Sequence, residues 1–257
     1  MEIVQSLSNG VCTLTLNRPT VFNSFNQAMA LALQSALDKC AADENVRAIV
    51  ITGEGKAFCA GQDLAEATDP NGPALQQIVR DHYNPIILKI RNIEKPVIAA
   101  VNGVAAGAGA NIALACDITI AKKSASFIQA FSKIGLIPDS GGTFFLPRII
   151  GMQKALALMM TGDKVVADEA ENLGMIYKAV EDEEFLSFVL NFAEQIASMP
   201  TRGLGLTKKA MNISFTNTLE AQLNVEELLQ TEAGTTADFK EGVNAFLEKR
   251  KPEFKGK

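Results

Sequence analysis

Between residues 10 and 121 the chain switches repeatedly between two hydrophobic periods. Apolar and polar positions alternate in GVCTLTLN (10–17), which predicts a strand, whereas Met29, Leu33 and Leu37 in NQAMALALQSALDKCAAD (26–43) recur at helical spacing. VRAIVITG (46–53) and KPVIAAV (95–101) are short, unbroken apolar runs of the kind that fill a sheet covered on both faces. A helical ANIALAC (110–116), a strand CDITIA (116–121) and the short pieces ASFIQA (125–130) and FSKIGL (131–136) continue the alternation. That order predicts an α/β fold with parallel pairing, each crossover covering one sheet face.

From residue 151 the pattern turns helical, through GMQKALALMMTG (151–162), ADEAENLGM (167–175) and EFLSFVLNFAEQIASM (184–199). Pro200 breaks it. Further helices follow in LGLTKKAMNIS (204–214), around 219–233 and in the amphipathic ADFKEGVNAFLEKR (237–250), so the chain divides into a core, 1–199, and a helical region, 200–257. Residues 65–74, AEATDPNGPA, are the most loop-like stretch inside the core.

Composition narrows the function classes. At 257 residues, 47% hydrophobic and 21% charged with a net charge of -5, the chain describes a folded, mildly acidic protein, and a nucleic-acid partner would want a basic face that it lacks. Cys12, Cys40, Cys59 and Cys116 form no C-x-x-C pair and no metal-ligand spacing, which predicts structural thiols, no metal and a reducing, cytoplasmic compartment. MEIVQSLSNG has neither the basic nor the apolar region of a signal peptide. Residues 96–116 carry no charge over a length that could cross a bilayer, but Pro96, Asn102, Gly103, Gly107, Gly109 and Asn111 interrupt them. A buried strand, a glycine loop and a buried helix is the expected reading, with no membrane span.

Two nucleotide motifs fail on inspection. GAGANI (107–112) has Ile112 where a dinucleotide fingerprint needs its last glycine, and GEGK (53–56) lacks the spacing of a phosphate loop. More useful are the glycine loops GKAFCAGQDL (55–64) and NGVAAGAGANIAL (102–114), which place small residues where a strand gives way to a loop or helix. Exposed backbone N–H groups there could hold a developing oxyanion. In KIGLIPDSGGT (133–143) a single carboxylate, Asp139, stands between an apolar run and a glycine pair, a pattern that by itself is ordinary turn chemistry. His82, the only histidine, is expected on a partly exposed helix face.

Taken together, NRPTVFNSFN, AFCAGQDL, KPVIAAVNGVAAGAGANIALACDITIA and GLIPDSGGT, in this order and spacing, resemble the crotonase (enoyl-CoA hydratase/isomerase) superfamily over essentially the whole chain. The resemblance implies a spiral of ββα units followed by a C-terminal helical trimerisation region, assembly as homotrimers or homohexamers, acyl-CoA substrates, and no cofactor beyond the CoA that the substrate carries. It places the oxyanion donors on the backbone N–H groups of Gln62 and Ala108. Asp63, Leu64, Asn111 and Phe131 would line the substrate pocket. Val21 and Phe22 would meet CoA in the loop starting at Thr20, joined by Phe246 and Lys249 of a neighbouring subunit.

One departure from the family pattern decides the reaction type. The hydratases of the superfamily use two glutamates, and the matching positions hold Asn111 and Phe131, an amide and a phenyl ring that cannot exchange protons. Asp139 falls where the isomerases carry their acid, so the resemblance makes it the general acid/base of an isomerase. Within the superfamily, FSKIGLIPDSGGT, NLGMIYKAVED and EGVNAFLEKRKPEFKGK are most similar to the ring-opening 1,2-epoxyphenylacetyl-CoA isomerases. A Δ3,Δ2-enoyl-CoA isomerase or a hydratase of fatty acid oxidation is the alternative. An aryl-CoA dehalogenase would combine an Asp with a His and a Trp, and the chain has no Trp. A CoA- or RNA-binding relative without catalysis is the non-enzymatic reading, against which stand the acidic balance and Asp139.

Overall fold

Three of the long strands are each followed within a few residues by a second, shorter one, and this doubling organises the molecule. The computed structural model describes residues 1–257. Its strands are β1 (Ile3–Ser8), β2 (Val11–Leu16), β3 (Ala48–Gly53), β4 (Ala57–Cys59), β5 (Val97–Val101), β6 (Val104–Ala106), β7 (Ile118–Lys122), β8 (Ser126–Ile128), β9 (Lys164–Val166) and β10 (Lys178–Val180). They form a six-stranded sheet in the order β1-β2-β3-β5-β7-β10 and a four-stranded sheet in the order β4-β6-β8-β9. The pairs β3/β4, β5/β6 and β7/β8 each give one strand to either sheet, so the chain winds as a spiral of strand, strand and helix. Pairing is parallel except at β1–β2 and β8–β9. The first hairpin turns on Asn9 and Gly10, both with positive φ, as a tight two-residue turn between twisted strands requires.

The large sheet is covered on both faces, which is why β3 and β5 read as unbroken apolar runs. One face holds Ile49, Ile51, Val97, Ala99 and Val101 in the main core with helices Gln27–Ala42, Asn84–Asn92 and Ala108–Ala115. The alternate residues Ala48, Val50, Ile98, Ala100 and Ile120 face Phe185, Val189, Ala193 and Ala197 of helix Phe185–Ala197. That helix lays down its apolar stripe at i, i+4, i+8 and i+12, so its burial follows directly from its periodicity.

Helix Thr201–Ser214 is tied back to this core by ions. Lys208, 9% exposed, reaches Asp117 at 2.8 Å and donates to the carbonyl oxygen of Ile90 at 2.6 Å, while Arg91 meets the other Asp117 oxygen at 3.0 Å. Helices Leu219–Gly234 and Ala237–Glu248 leave Leu219, Leu223, Leu228, Phe239, Phe246 and Leu247 exposed. The uncharged stretch 96–116 is β5, β6 and helix Ala108–Ala115 as expected, and no helix is long and apolar enough to cross a membrane.

One expectation is corrected and another is extended. The stretch 65–74 is not all loop, because Asp63 caps a helical turn, Leu64–Ala67, accepting a hydrogen bond from the Ala65 amide. The turn expected around Asp139 is present, with the Gly142 nitrogen donating to the Asp139 oxygen, and a helix that the pattern did not announce, Gly142–Ile150 with Pro147 inside it, starts directly after it.

Candidate active site

The two glycine loops touch because glycine lets them. A Cβ on Gly109 would stand 2.7 Å from the Cβ of Cys59, and one on Gly61, whose φ is +93°, would lie 3.0 Å from the Ala106 oxygen and 3.6 Å from the Ala108 nitrogen. The turn after β4 is therefore pressed against the start of helix Ala108–Ala115. Phe25 bridges alongside Gln62 by donating to the Gly61 oxygen at 2.7 Å and accepting from the Asp63 nitrogen at 2.8 Å, a parallel register in which the intervening Gln62 N–H points the other way. Ala108 opens its helix at a position whose N–H has no intrahelical acceptor. Neither amide has a partner among the loop and cap hydrogen bonds.

Asp139 lies on a turn that is stabilised from behind by Asn111, a residue of the helix that Ala108 opens. Its carbonyl oxygen accepts from the Gly142 nitrogen at 2.8 Å and from Asn111 Nδ2 at 2.9 Å, and Asn111 Oδ1 in turn accepts from Gln129 Nε2 at 2.8 Å. Asn111 is 0% exposed with both ends of its amide engaged, so it braces the Asp139 turn rather than offering a free group to a pocket. Phe131, also buried, packs its ring over Gly107. The next two residues after Asp139, Ser140 and Gly141, are both left-handed, with φ of 50° and 74°. A left-handed serine costs on the order of 1 kcal/mol. It places the Ser140 hydroxyl 2.9 Å from Asp139 Oδ1, to which it donates. Burial pushes the Asp139 carboxyl above the ordinary carboxylate range, and the Ser140 hydrogen bond pulls it only partly back.

The remaining expected residues lie in two groups. Asp63 is committed to structure: one oxygen caps Ala65 and the other meets Arg18 at 2.9 Å, while Arg18 also donates to the Ser24 oxygen at 2.6 Å. Leu64 follows it, more than half exposed. Val21 closes a short helical turn, Pro19–Val21, and Phe22 and Asn23 after it are left-handed at φ 52° and 56°. Fully buried Asn23 holds this bend, accepting from the Arg18 nitrogen at 2.9 Å and donating to the Ala57 oxygen at 2.8 Å, which leaves Phe22 exposed. Phe246 and Lys249 sit on the surface at the end of helix Ala237–Glu248, Lys249 as its left-handed cap.

His82 corrects its expectation, being 2% exposed with neither ring nitrogen hydrogen-bonded. It belongs to a π-helical turn, Ile78–Tyr83, whose inward face continues through Ile86, Ile87 and Ile90. The spacing 78, 82, 86, 90 was present in the sequence and marks the buried stripe. Tyr83, which sequence reasoning passed over, ends the same turn, 1% exposed, and donates its hydroxyl to Gln62 Oε1 at 2.8 Å. Gln129, Asn23 and Ser140 were also missed, since none belongs to a motif with catalytic spacing.

A separate cavity of about 460 Å³ lies between helices Gly142–Ile150 and Thr201–Ser214, and Asp139 takes no part in it. Its ionic groups Asp117, Arg91 and Lys208 satisfy one another, and Arg148 lies over the Phe144 ring at 3.7 Å. It is a structural seam.

Comparison with known proteins agrees with this fold. The chain is 49% identical to 1,2-epoxyphenylacetyl-CoA isomerase of Escherichia coli (strain K12) over 261 aligned residues, covering 100% of both chains. It is 39% identical to trans-2-decenoyl-[acyl-carrier-protein] isomerase of Streptococcus mutans, covering 100% of this chain and 98% of that one. The solved structure of an enoyl-CoA hydratase from Bacillus anthracis superposes with a TM-score of 0.93 at 34% identity, covering 100% of both chains. Residues 6–257 match the enoyl-CoA hydratase/isomerase family over nearly the whole spiral and its helical tail, and the chain belongs to that family of enzymes, the crotonase superfamily.

Proposed function

We propose that this chain is an acyl-CoA isomerase that converts 1,2-epoxyphenylacetyl-CoA to the seven-membered oxepin-CoA, with Asp139 as its acid/base. The observation that supports this most is the desolvated Asp139 carboxylate beside two hydratase positions filled by a committed amide, Asn111, and a ring, Phe131. The full-length likeness to the Escherichia coli isomerase points to the same substrate.

In this reading the thioester oxygen lies between the N–H groups of Gln62 and Ala108. Asp139 takes a proton from the carbon next to the thioester carbonyl, and the C–H electron pair passes into an enolate whose oxygen the two amides stabilise. The ring carbon–carbon bond beneath the epoxide opens to give the seven-membered ring, and Asp139 returns the proton to a ring carbon. Nothing is gained or lost, so one carboxylate suffices, and neither a metal nor a further cofactor enters. Asp63, Leu64 and Phe131 border the acyl group, while Val21 and Phe22 meet the CoA. Phe246 and Lys249 reach a neighbouring subunit's CoA, and the exposed leucines and phenylalanines of the last two helices are covered in a homotrimer or a hexamer of two trimers.

The test is turnover of three substrates, 1,2-epoxyphenylacetyl-CoA, a linear 3-enoyl-CoA and a linear 2-enoyl-CoA, followed by chromatography of the CoA products. Ring-opened product from the first is expected, with hydration of the third at least 100-fold slower. Preference for the linear 3-enoyl substrate would make it a Δ3,Δ2-enoyl-CoA isomerase, in keeping with its Streptococcus relative.

A further inference from the structure

The side chain of Gln62 is held at both ends. Its Oε1 accepts from the Tyr83 hydroxyl at 2.8 Å and its Nε2 donates to Glu66 Oε2 at 3.1 Å. Glu66 is itself anchored, because its two oxygens accept from the Gln27 nitrogen at 2.9 and 3.2 Å, at the first turn of helix Gln27–Ala42. Tyr83 is fixed too, its ring edge-on to Phe25 with centroids 5.8 Å apart, and Phe25 is the residue that bridges Gln62 through the backbone.

The proton count along this chain admits one arrangement. A carboxylate only accepts, so Glu66 must face the NH₂ end of Gln62; the carbonyl end then faces Tyr83, which must donate. Burial, and after it the neighbouring Cys59, Asp139, Glu66 and Asp63, holds the Tyr83 phenol well above its usual ionisation range, so the donated proton stays in place. Two elements therefore grip one side chain, the π-helical turn and the helical turn Leu64–Ala67, and the second is itself tied to the start of helix Gln27–Ala42. With its far end anchored, the Gln62 side chain holds the Cα–Cβ direction, which limits how far the adjoining peptide plane and its N–H can rotate.

We infer that Tyr83 and Glu66 are positioning residues for the Gln62 backbone N–H, clamping its side chain so that the amide is aimed before substrate arrives. This rests on the proposed role of Gln62 as an oxyanion donor. Neither residue touches the substrate. Their contribution is to remove the wobble of an amide that would otherwise swing with a half-exposed loop, and an oxyanion donor is effective only when it needs no reorganisation.

The experiment uses Tyr83→Phe, which keeps the buried ring and deletes only the hydroxyl, and Glu66→Gln, which lies outside the packed core. Phenylacetyl-CoA labelled with ¹³C at the thioester carbon serves as an unreactive probe, and its carbonyl stretch is read by infrared difference spectroscopy alongside steady-state turnover. In wild type the bound stretch should fall below that of the free thioester. In Tyr83→Phe at least half of that fall should be lost and kcat should drop about 10- to 100-fold, with KM changed less than three-fold; Glu66→Gln should move both in the same direction by less. A purely structural hydroxyl would lower the melting temperature and leave the stretch alone, and a full wild-type stretch and kcat in both variants would overturn the inference. If the wild-type stretch itself is unshifted, the oxyanion reading of Gln62 fails instead, and the two failures are told apart by that one spectrum.

Discussion

Asp63 and Asp139 are two carboxylates with opposite surroundings. The first shares its oxygens between Arg18 and the cap of a helical turn. The second has a single side-chain partner, the Ser140 hydroxyl, and is half-buried without a counter-charge. A carboxylate whose lone pairs are spent on the scaffold cannot exchange protons with a substrate without breaking the scaffold, whereas one that is desolvated and unpaired gains by taking a proton up. Chain position says nothing of this difference; it comes wholly from what surrounds each group.

The sharpest way to break that comparison is to neutralise each in turn. Asp139→Asn should lower kcat by 10²–10⁴-fold with acyl-CoA binding retained, as expected for loss of an acid/base. At neutral pH the same change should slightly stabilise the fold, since it removes a partly desolvated charge, and the gain should fade as pH falls through the raised Asp139 pKa and the wild-type carboxyl takes up its proton. Asp63→Asn should do the reverse, costing about 1–3 kcal/mol by leaving Arg18 half-buried and unpaired, seen in thermal unfolding, with the chemical step affected less. Equal losses of turnover in the two variants would erase the distinction.

A smaller effect should come from behind the turn. Asn111→Asp sets a carboxylate oxygen against the Asp139 carbonyl in place of a donated N–H, and the expected outcome is a roughly ten-fold loss of kcat, from a misplaced acid/base rather than a missing one. The smallest is a shift in pH dependence. Because Asp139 must begin ionised to take a proton, the rate should fall as pH drops through a pKa above the ordinary carboxylate range. Ser140→Ala removes the bond that lowers that pKa, so the acid limb of the kcat/KM profile should move to higher pH, while Asp63→Asn leaves it in place.

The large sheet was legible in the chain because β2, β3, β5 and β7 carry enough residues to show alternation or an unbroken apolar run. The small sheet was not legible from periodicity, since β4, β6, β8 and β9 have three residues each and three residues show no period. Helix Gly142–Ile150 hid behind Gly141, Gly142 and Pro147, which punctuate loops in most contexts. At the site, Asp139 could be singled out because a lone acid is a visible character. Asn111 could be read only as a missing glutamate, and its bond to the Asp139 carbonyl needs two segments 28 residues apart to meet. Tyr83 had no signal beyond its place on a buried helical stripe. Backbone donors are the hardest case, because Gln62 and Ala108 would contribute through an atom every residue other than proline possesses.

Gly109 packed on Cys59 acts as a mechanical gauge. The gap between the two amides is set by how closely successive turns of the spiral can be stacked, and that distance is fixed by an absent methyl group rather than by any pocket side chain. If the two amides hold a thioester oxygen as proposed, residues such as Asp139, Asn111 and Phe131 could be exchanged, and the reaction changed with them, while that spacing stayed the same. A single added carbon at residue 109 would reset it for every substrate at once.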